Sequence, residues 1–296
     1  MMHSIPARSY ESNLSTAGCS IVGQYPDLWD VAGYEKKRFM VEAKIRATTA
    51  KRGEGQSSRR LWLVRHGLTE WNTQQRFCGH SDVPLSERGR VQARWLAGQL
   101  QDEALSTIYT SDLERARETA EMIASQSAQA LKVKVSEAWR EIDFGAWEGL
   151  TYAEIAERFK DQLGFFTEPE QGSPPGGEPL AQVLQRVQAE LAAIAYRDDS
   201  PMEGDVVIVS HGGPLRLLLC SILGMPLERQ WQLRLDPGSL SAIDLLPIDE
   251  PSAPRAILVL LNAQASTHAE HSATGPVSAR AMGGTASEGL REEGTM

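Results

Sequence analysis

The sequence predicts an α/β fold, a three-layer α/β/α sandwich with a mostly parallel central sheet and an antiparallel edge strand. Three observations predict it. From Leu61 onward, short apolar runs alternate with longer amphipathic stretches, as strands joined by crossover helices do. The most apolar runs, Leu61-Trp62-Leu63-Val64 and Val206-Val207-Ile208-Val209, carry no polar alternation, which suits strands buried between helical layers. The last two runs are separated by Pro247, Asp249 and Pro251, a turn composition that closes an antiparallel pair.

The elements follow in order. Leu61–Val64 is the first strand and ends at a polar turn. Ser86 caps a helix running to Leu100, with Val91, Trp95, Leu96 and Leu100 on one face. Ser106–Tyr109 is a second strand, Leu113–Ser125 a helix and Lys132–Val135 a third strand. Helices are expected at Thr151–Arg158 and Leu180–Tyr196. The strand Val206–Val209 leads into a helix over Pro214–Leu223. Leu240–Leu246 and Ala256–Leu261 make the closing pair.

These elements place one folded domain at residues 60–262. Residues 1–59 lack sustained periodicity and read as a basic, disordered or loosely helical extension. A targeting or docking arm is the alternative, as is a natural start at Met40. Residues 263–296, rich in Ala, Ser, Gly and Thr, read as a disordered tail.

Composition bounds the function. Hydrophobic residues make up 41% and charged residues 23% of the 296, an ordinary globular balance able to bury a core. The net charge is −9, which disfavours nucleic acid as a partner, because phosphate backbones need a basic surface. Residues 1–60 carry ten Lys/Arg and six Asp/Glu, so the remainder holds −13. Cys19, Cys78 and Cys220 are far apart and form no C-x-x-C pair, so neither a disulfide framework nor a cysteine zinc site is expected. A reducing cytoplasm is the simplest setting. No run approaches the ~18 apolar residues of a membrane span, and no compact apolar segment marks a secretory signal. Nothing in the sequence specifies an oligomeric state.

Two histidines directly follow apolar strands, His66 in Arg65-His66-Gly67 and His211 in Ser210-His211-Gly212-Gly213. In a parallel sheet, ligands sit beyond the C-terminal ends of the strands. A lone histidine there is more often a packing residue; two in matching positions, one preceded by arginine, point to a site. Arg115 and Arg117 follow the second strand. Arginine suits phosphate because its planar fork binds two oxygens at once; the competing reading makes both solvated partners of Glu114, Glu118 or Glu121. Acid candidates lie in Trp139-Arg140-Glu141-Ile142-Asp143-Phe144-Gly145-Ala146-Trp147-Glu148-Gly149, where Glu141, Asp143 and Glu148 compete. His66, His80 and His211 lack the local spacing of a zinc site, and no phosphate-binding G-x-x-x-x-G-K-[ST] loop occurs.

Five segments in register resemble the histidine phosphatase superfamily, the phosphoglycerate mutase-like family. They are Arg65-His66-Gly67-x-Thr69-x-x-Asn72, Gly79-x-x-Asp82-x-Pro84-Leu85-Ser86, Ser111-x-Leu113-x-Arg115-Ala116, Glu141-x-x-Phe144-Gly145-x-Trp147-Glu148-Gly149 and Ser210-His211-Gly212-Gly213-x-x-Arg216. The resemblance implies that His66 is the nucleophile and Glu141 the proton donor. It implies a phosphate pocket of Arg65, Arg115 and a protonated His211, assisted by Asn72, Gly79 and the Gly212 amide. No metal or cofactor is then required, because guanidinium groups form the positive clamp. Where the family often has Gly-Glu-Ser, this chain has Gly177-Glu178-Pro179, so a serine at the pocket edge is lost. Pro174-Pro175-Gly176-Gly177 before it reads as a plain loop.

The resemblance carries two reactions, phosphate hydrolysis and phosphate transfer within phosphoglycerate. Only 70 positions separate Glu141 from His211, short of the insert that the mutases carry, and the Phe-Gly-x-Trp-Glu-Gly loop looks like the phosphatase branch. Within it, the alpha-ribazole phosphatases of cobalamin synthesis resemble this chain well, and broad-specificity phosphatases and sugar bisphosphatases look similar too, with alpha-ribazole 5′-phosphate the leading named substrate. The expected activity is hydrolysis of a small phosphorylated metabolite through a phosphohistidine; the alternatives are a bisphosphoglycerate-dependent phosphoglycerate mutase and a non-catalytic phospho-ligand-binding module. The rim is expected at Asn72–His80 and Tyr152–Glu178, where Trp147, Tyr152, Phe159, Phe165 and Phe166 either stack on a ring or, more often for aromatics, bury area in the core.

Overall fold

A computed structural model describes residues 59–167, 172–196, 204–246 and 256–265. Six strands make one sheet: β1 (Arg59–Arg65), β2 (Leu105–Thr110), β3 (Lys132–Val135), β4 (Asp205–Ser210), β5 (Leu240–Leu245) and β6 (Ala256–Ala263), in the order β3-β2-β4-β1-β5-β6. β3, β2, β4 and β1 pair in parallel. β5 runs antiparallel to β1, and β6 antiparallel to β5. The two apolar runs singled out in the sequence are the adjacent central strands, paired from Leu61 with Val206 to Arg65 with Ser210.

Both faces are covered, so the central strands bury residues of either parity. Leu61, Leu63, Val206 and Ile208 belong to one core with residues of α6 (Leu180–Tyr196) and α7 (Gly212–Leu223). Trp62, Val64, Val207 and Val209 belong to the other, with residues of α2 (Glu87–Leu100) and α3 (Glu114–Gln126). Each such side chain contributes about 1.5–3 kcal/mol by leaving water. Among the described residues there are also three short helices: α1 (Glu70–Thr73), α4 (Tyr152–Arg158) and α5 (Gly164–Thr167).

Ser86 caps α2 as expected, its side chain accepting from the Gly89 N–H. Of the predicted face, Leu96 and Leu100 are buried and Trp95 packs partly buried against the core, while Val91 is 54% exposed; Gly89, Ala93 and Ala97 are buried in its place. The reason is close approach, since a Cβ on Gly89 would lie 2.1 Å from the Leu68 carbonyl oxygen. Small residues therefore occupy the stripe, and position 91, half a turn away, faces water. Most of the predicted aromatics are core: Trp147 and Phe165 are fully buried, and only Tyr152 is largely exposed. Strands begin at Arg59 and end at Ala263, one residue beyond each predicted boundary. The expectations for residues 1–58 and 266–296 lie outside the described residues.

Candidate active site

The C-terminal edge of the sheet gathers the predicted residues because β1 and β4 are neighbours in register. His66 follows β1, His211 follows β4, and their rings lie 4.9 Å apart between centroids. The His66 amide donates to the Ser210 carbonyl at 3.0 Å. Both histidines are buried, at 3% and 0% exposure.

His66 has a defined tautomer. Its Nδ1 lies 2.7 Å from the Gly67 carbonyl oxygen, which can only accept, so Nδ1 carries the proton and Nε2 the lone pair. Burial, then Arg115 and Arg65, push its pKa well below the ordinary imidazole value; the Gly67 bond opposes them. The nucleophilic form is therefore the stable one. Gly67 has no room for a side chain, as a Cβ would sit 2.4 Å from the Gly89 carbonyl oxygen.

His211 has both ring nitrogens buried and without a hydrogen bond. Burial, then Arg115, His66, Arg65 and Arg186, lower its pKa well below the ordinary value. The protonated His211 of the sequence reading is thus not what the protein's own groups favour, because burial and then the nearby arginines oppose a charge on the ring.

Arg65 is buried and its pKa is lowered to about 10, by burial first and then by Arg216. Its Nη1 donates to the Leu235 carbonyl at 2.6 Å, while its Nε has no partner. Arg115 is fully buried, so it is no solvated helix residue. Its Nη1 donates to the Ser81 carbonyl at 2.9 Å and its Nη2 to that of Gly79 at 2.7 Å; its Nε is unpartnered. Arg117 is the surface residue, half exposed and 3.8 Å from Glu121.

Glu141 is 7% exposed. Its Oε1 accepts from the N–H groups of Gly213 and Ile142, both at 3.0 Å. It therefore sits at the N-terminal end of α7, held by two backbone amides. The other acids take structural posts: Glu148 accepts from the His80 and Ser81 amides at 2.6 and 2.9 Å, and Asp143 from the Gly145 amide at 2.8 Å. Glu148 thereby shapes the loop whose carbonyls hold Arg115.

Of three further predicted residues, Gly79 and Gly212 border this group, and Asn72 is committed elsewhere. Gly79 offers its carbonyl to Arg115, and a Cβ there would meet Glu148 and the Ile142 carbonyl at 2.3 Å. Asn72 pairs with Thr69 in a capping box around α1, its Oδ1 accepting from the Thr69 amide at 3.1 Å. Gly212 opens α7 beside Arg65. His80 reaches the Glu141 carbonyl oxygen through Nε2 at 3.1 Å and stands 3.8 Å from Asp143, on the rim. Among the described residues, no cluster of His, Cys, Asp or Glu could hold a metal ion, and no helix is long and apolar enough to cross a membrane.

Sequence reasoning gave no role to two residues that the structure brings in. Arg186, on α6, donates to the carbonyls of Ala138, Arg140 and Glu141 at 2.8–3.0 Å and pairs with both oxygens of Glu178. The sequence holds no signal for this, since Arg186 looks like any helix residue. Glu178 here explains part of the Gly-Glu-Pro segment. The Pro-Pro-Gly-Gly stretch before it is more than a plain loop: the Ala146 amide donates to the Pro175 carbonyl, and that of Glu178 to Asp143, both at 2.9 Å. The second residue, Arg216, stood at the end of the His211 motif without an assignment.

Residues 61–248 match the family model of the histidine phosphatase superfamily, branch 1. The chain is 38% identical over 187 residues to "Phosphoserine phosphatase 1" of Hydrogenobacter thermophilus, spanning 63% of this chain and 86% of that protein. It is 33% identical over 187 residues to "Adenosylcobalamin/alpha-ribazole phosphatase" of Escherichia coli, spanning 63% of this chain and 90% of that one. The crystal structure of a putative alpha-ribazole-5′-P phosphatase from Escherichia coli superposes with a TM-score of 0.61 at 31% identity, covering 70% of this chain and 97% of that one.

Proposed function

This chain belongs to the histidine phosphatase superfamily, and from that premise we propose that it is a metal-independent phosphomonoesterase working through a phosphohistidine on His66. The observation that carries the reading is the Nδ1 contact to Gly67: it leaves the Nε2 lone pair free on a ring kept neutral by burial first and then by Arg115 and Arg65. A neutral nucleophile avoids repulsion by the phosphate dianion, and the same cations stabilise the transferring phosphoryl group.

In the first step Nε2 forms a bond to phosphorus as the ester P–O bond breaks, and the Glu141 carboxyl passes a proton to the leaving oxygen. In the second, a water oxygen attacks phosphorus, the N–P bond breaks, and Glu141 takes the water's proton back. Arg65, Arg115 and His211 hold the phosphoryl oxygens. The substrate is proposed as a small phosphorylated metabolite; the relatives' names make phosphoserine and alpha-ribazole 5′-phosphate the first to assay. Cys78 and Cys220, both free thiols, fit the reducing cytoplasm proposed for it.

The test is phosphate release from an aryl phosphate in excess chelator, comparing the intact protein with His66→Ala. Chelator-resistant turnover that vanishes in the variant is expected. Turnover unchanged in the variant removes His66 as the nucleophile, and strong mutase activity on 3-phosphoglycerate with a bisphosphoglycerate primer would overturn the hydrolase reading.

A further inference from the structure

β6 is the outer strand of the sheet among the described residues. It holds five consecutive large apolar residues, Ile257-Leu258-Val259-Leu260-Leu261, and none of them is buried; Ile257 is 54% exposed. Its neighbour β5 is buried at five of six positions. An apolar run of this kind belongs inside a sheet, and an open edge normally carries charge that blocks further pairing. The opposite edge does so: β3 is four residues long and alternates Lys132 and Lys134 with Val133 and Val135. β6 has no charged residue.

One stretch of the N-terminal extension has the pattern of a strand that fits this edge. Over 39–48, Phe39, Val41, Ala43, Ile45 and Ala47 alternate with Met40, Glu42, Lys44, Arg46 and Thr48, a period of two with one apolar exception at Met40. At helical spacing the apolar row scatters around the axis, since Phe39 and Val41 lie about 200° apart.

The point where the extension joins the domain sets its reach. Arg59, the first residue of β1, pairs with Leu245, and Leu245 with Ala256, so the three lie in a row across the sheet. A strand beyond Ala256 lies three strand spacings from Arg59, roughly 14 Å. The ten residues 49–58 connect Thr48 to Arg59 and can span about 33 Å. β6 runs parallel to β1, because each is antiparallel to β5. The stretch has to enter β1 from that same end, so beside β6 it runs antiparallel. Charge selects between the two edges. Lys44 and Arg46 would meet Lys132 and Lys134 at β3, and meet no like charge on β6.

We propose that residues 39–48 add to the sheet as a seventh strand, antiparallel to β6, so that the chain covers its own open edge. The row from Phe39 to Ala47 lies beside Ile257. In register, Ile257 stands opposite Asp244 and Asp244 opposite Arg60, on the face of the sheet that carries Trp62. The antiparallel direction carries Lys36-Lys37-Arg38 to the far end of β6. There Asn262 donates to the Asp236 carboxylate at 3.0 Å, and the Gly238 amide donates to the His66 carbonyl at 2.8 Å. The start of the extension is thereby delivered to the edge of the sheet that carries His66 and His211.

The experiment is hydrogen–deuterium exchange of the full chain read by peptide mass, comparing the wild type with Ile45→Pro and Ile45→Asp. Proline removes a ladder donor, and aspartate puts a charge on the apolar row. In the wild type, amides of 39–48 are expected to exchange at least about tenfold slower than those of the 49–58 connection, once intrinsic rates are allowed for. Both variants should bring 39–48 to the rate of the connection and speed exchange in 256–263, while 206–210 stays as protected as in the wild type. Wild-type 39–48 exchanging as fast as the connection overturns the strand. Slow exchange there with 256–263 indifferent to both variants puts the stretch elsewhere and overturns the pairing. Protection of 256–263 that rises with protein concentration and survives both variants puts a second copy on the edge instead. Loss of protection at 206–210 in the variants would make the stretch part of the core, which also overturns the edge strand.

Discussion

Acid should destabilise this protein through two particular residues, His66 and His211. In the unfolded chain both titrate near 6.5. In the folded protein both are held well below that, by burial first and then by arginines. The sign follows: below 6.5 the unfolded state binds more protons than the folded one, so stability is present above 6.5 and is lost as pH falls. One unit below 6.5, a histidine that stays neutral when folded costs about 1.4 kcal/mol, and the two together about 3 kcal/mol. The assay is urea unfolding followed by tryptophan fluorescence between pH 7.5 and 5.5, in buffer free of phosphate. Carboxylates also titrate over the lower part of this range, so the comparison is with His66→Asn and His211→Asn. Each variant should lose about 1.4 kcal/mol less than the wild type over the same interval. Identical pH slopes in wild type and variants would refute the claim that burial and the nearby arginines hold these rings neutral.

Other perturbations reach the acid loop and its support. Arg186→Met strands three carbonyls and Glu178; stability should fall by about 2–4 kcal/mol in urea unfolding, and kcat on an aryl phosphate by at least about tenfold with KM nearly unchanged, because Glu141 is displaced rather than the phosphate clamp. Gly213→Ala puts a Cβ 2.3 Å from Glu141 Oε1 and 2.6 Å from Ile142 Cδ1; a cost of about 1–3 kcal/mol and a kcat loss of about a hundredfold are expected in the same two assays. Trp147→Leu removes a fully buried ring stacked on Phe166 at 5.2 Å and edge-on to Phe165 at 5.7 Å; thermal or urea unfolding should report a loss of about 2–4 kcal/mol.

The sheet was legible because its central strands are buried on both faces, which writes an unbroken apolar run such as Val206–Val209 into the chain. The long helix Leu180–Tyr196 matched its predicted ends for a similar reason, since its apolar residues recur at the helical period. The face of α2 was misread at Val91 because the buried stripe there is made of Gly89 and Ala93, whose small size reflects backbone contact and leaves no hydrophobic signal. In the candidate site, His66 and His211 could be found by their place after strands. The charge state of His211 could not, because it depends on which groups surround the ring, and those come from β1, α3 and α6. Arg186 was invisible for the same reason: its three carbonyl partners lie 45 to 48 positions away.

The arginines link the chemistry to the electrostatics. Arg65 and Arg115 lower the basicity of His66 and of His211 alike, yet the proposed reaction wants the first neutral and the second able to donate. A bound phosphoryl dianion resolves this. It offsets the guanidinium charges, and opposite charge nearby favours a protonated ring. His211 has two free ring nitrogens and no protein acceptor, so the dianion is the group it can serve as donor. His66 differs because its Nδ1 is committed to Gly67 and its Nε2 is the atom that must meet phosphorus. A shared set of cations therefore yields two roles, assigned by the hydrogen bond that one histidine has and the other lacks.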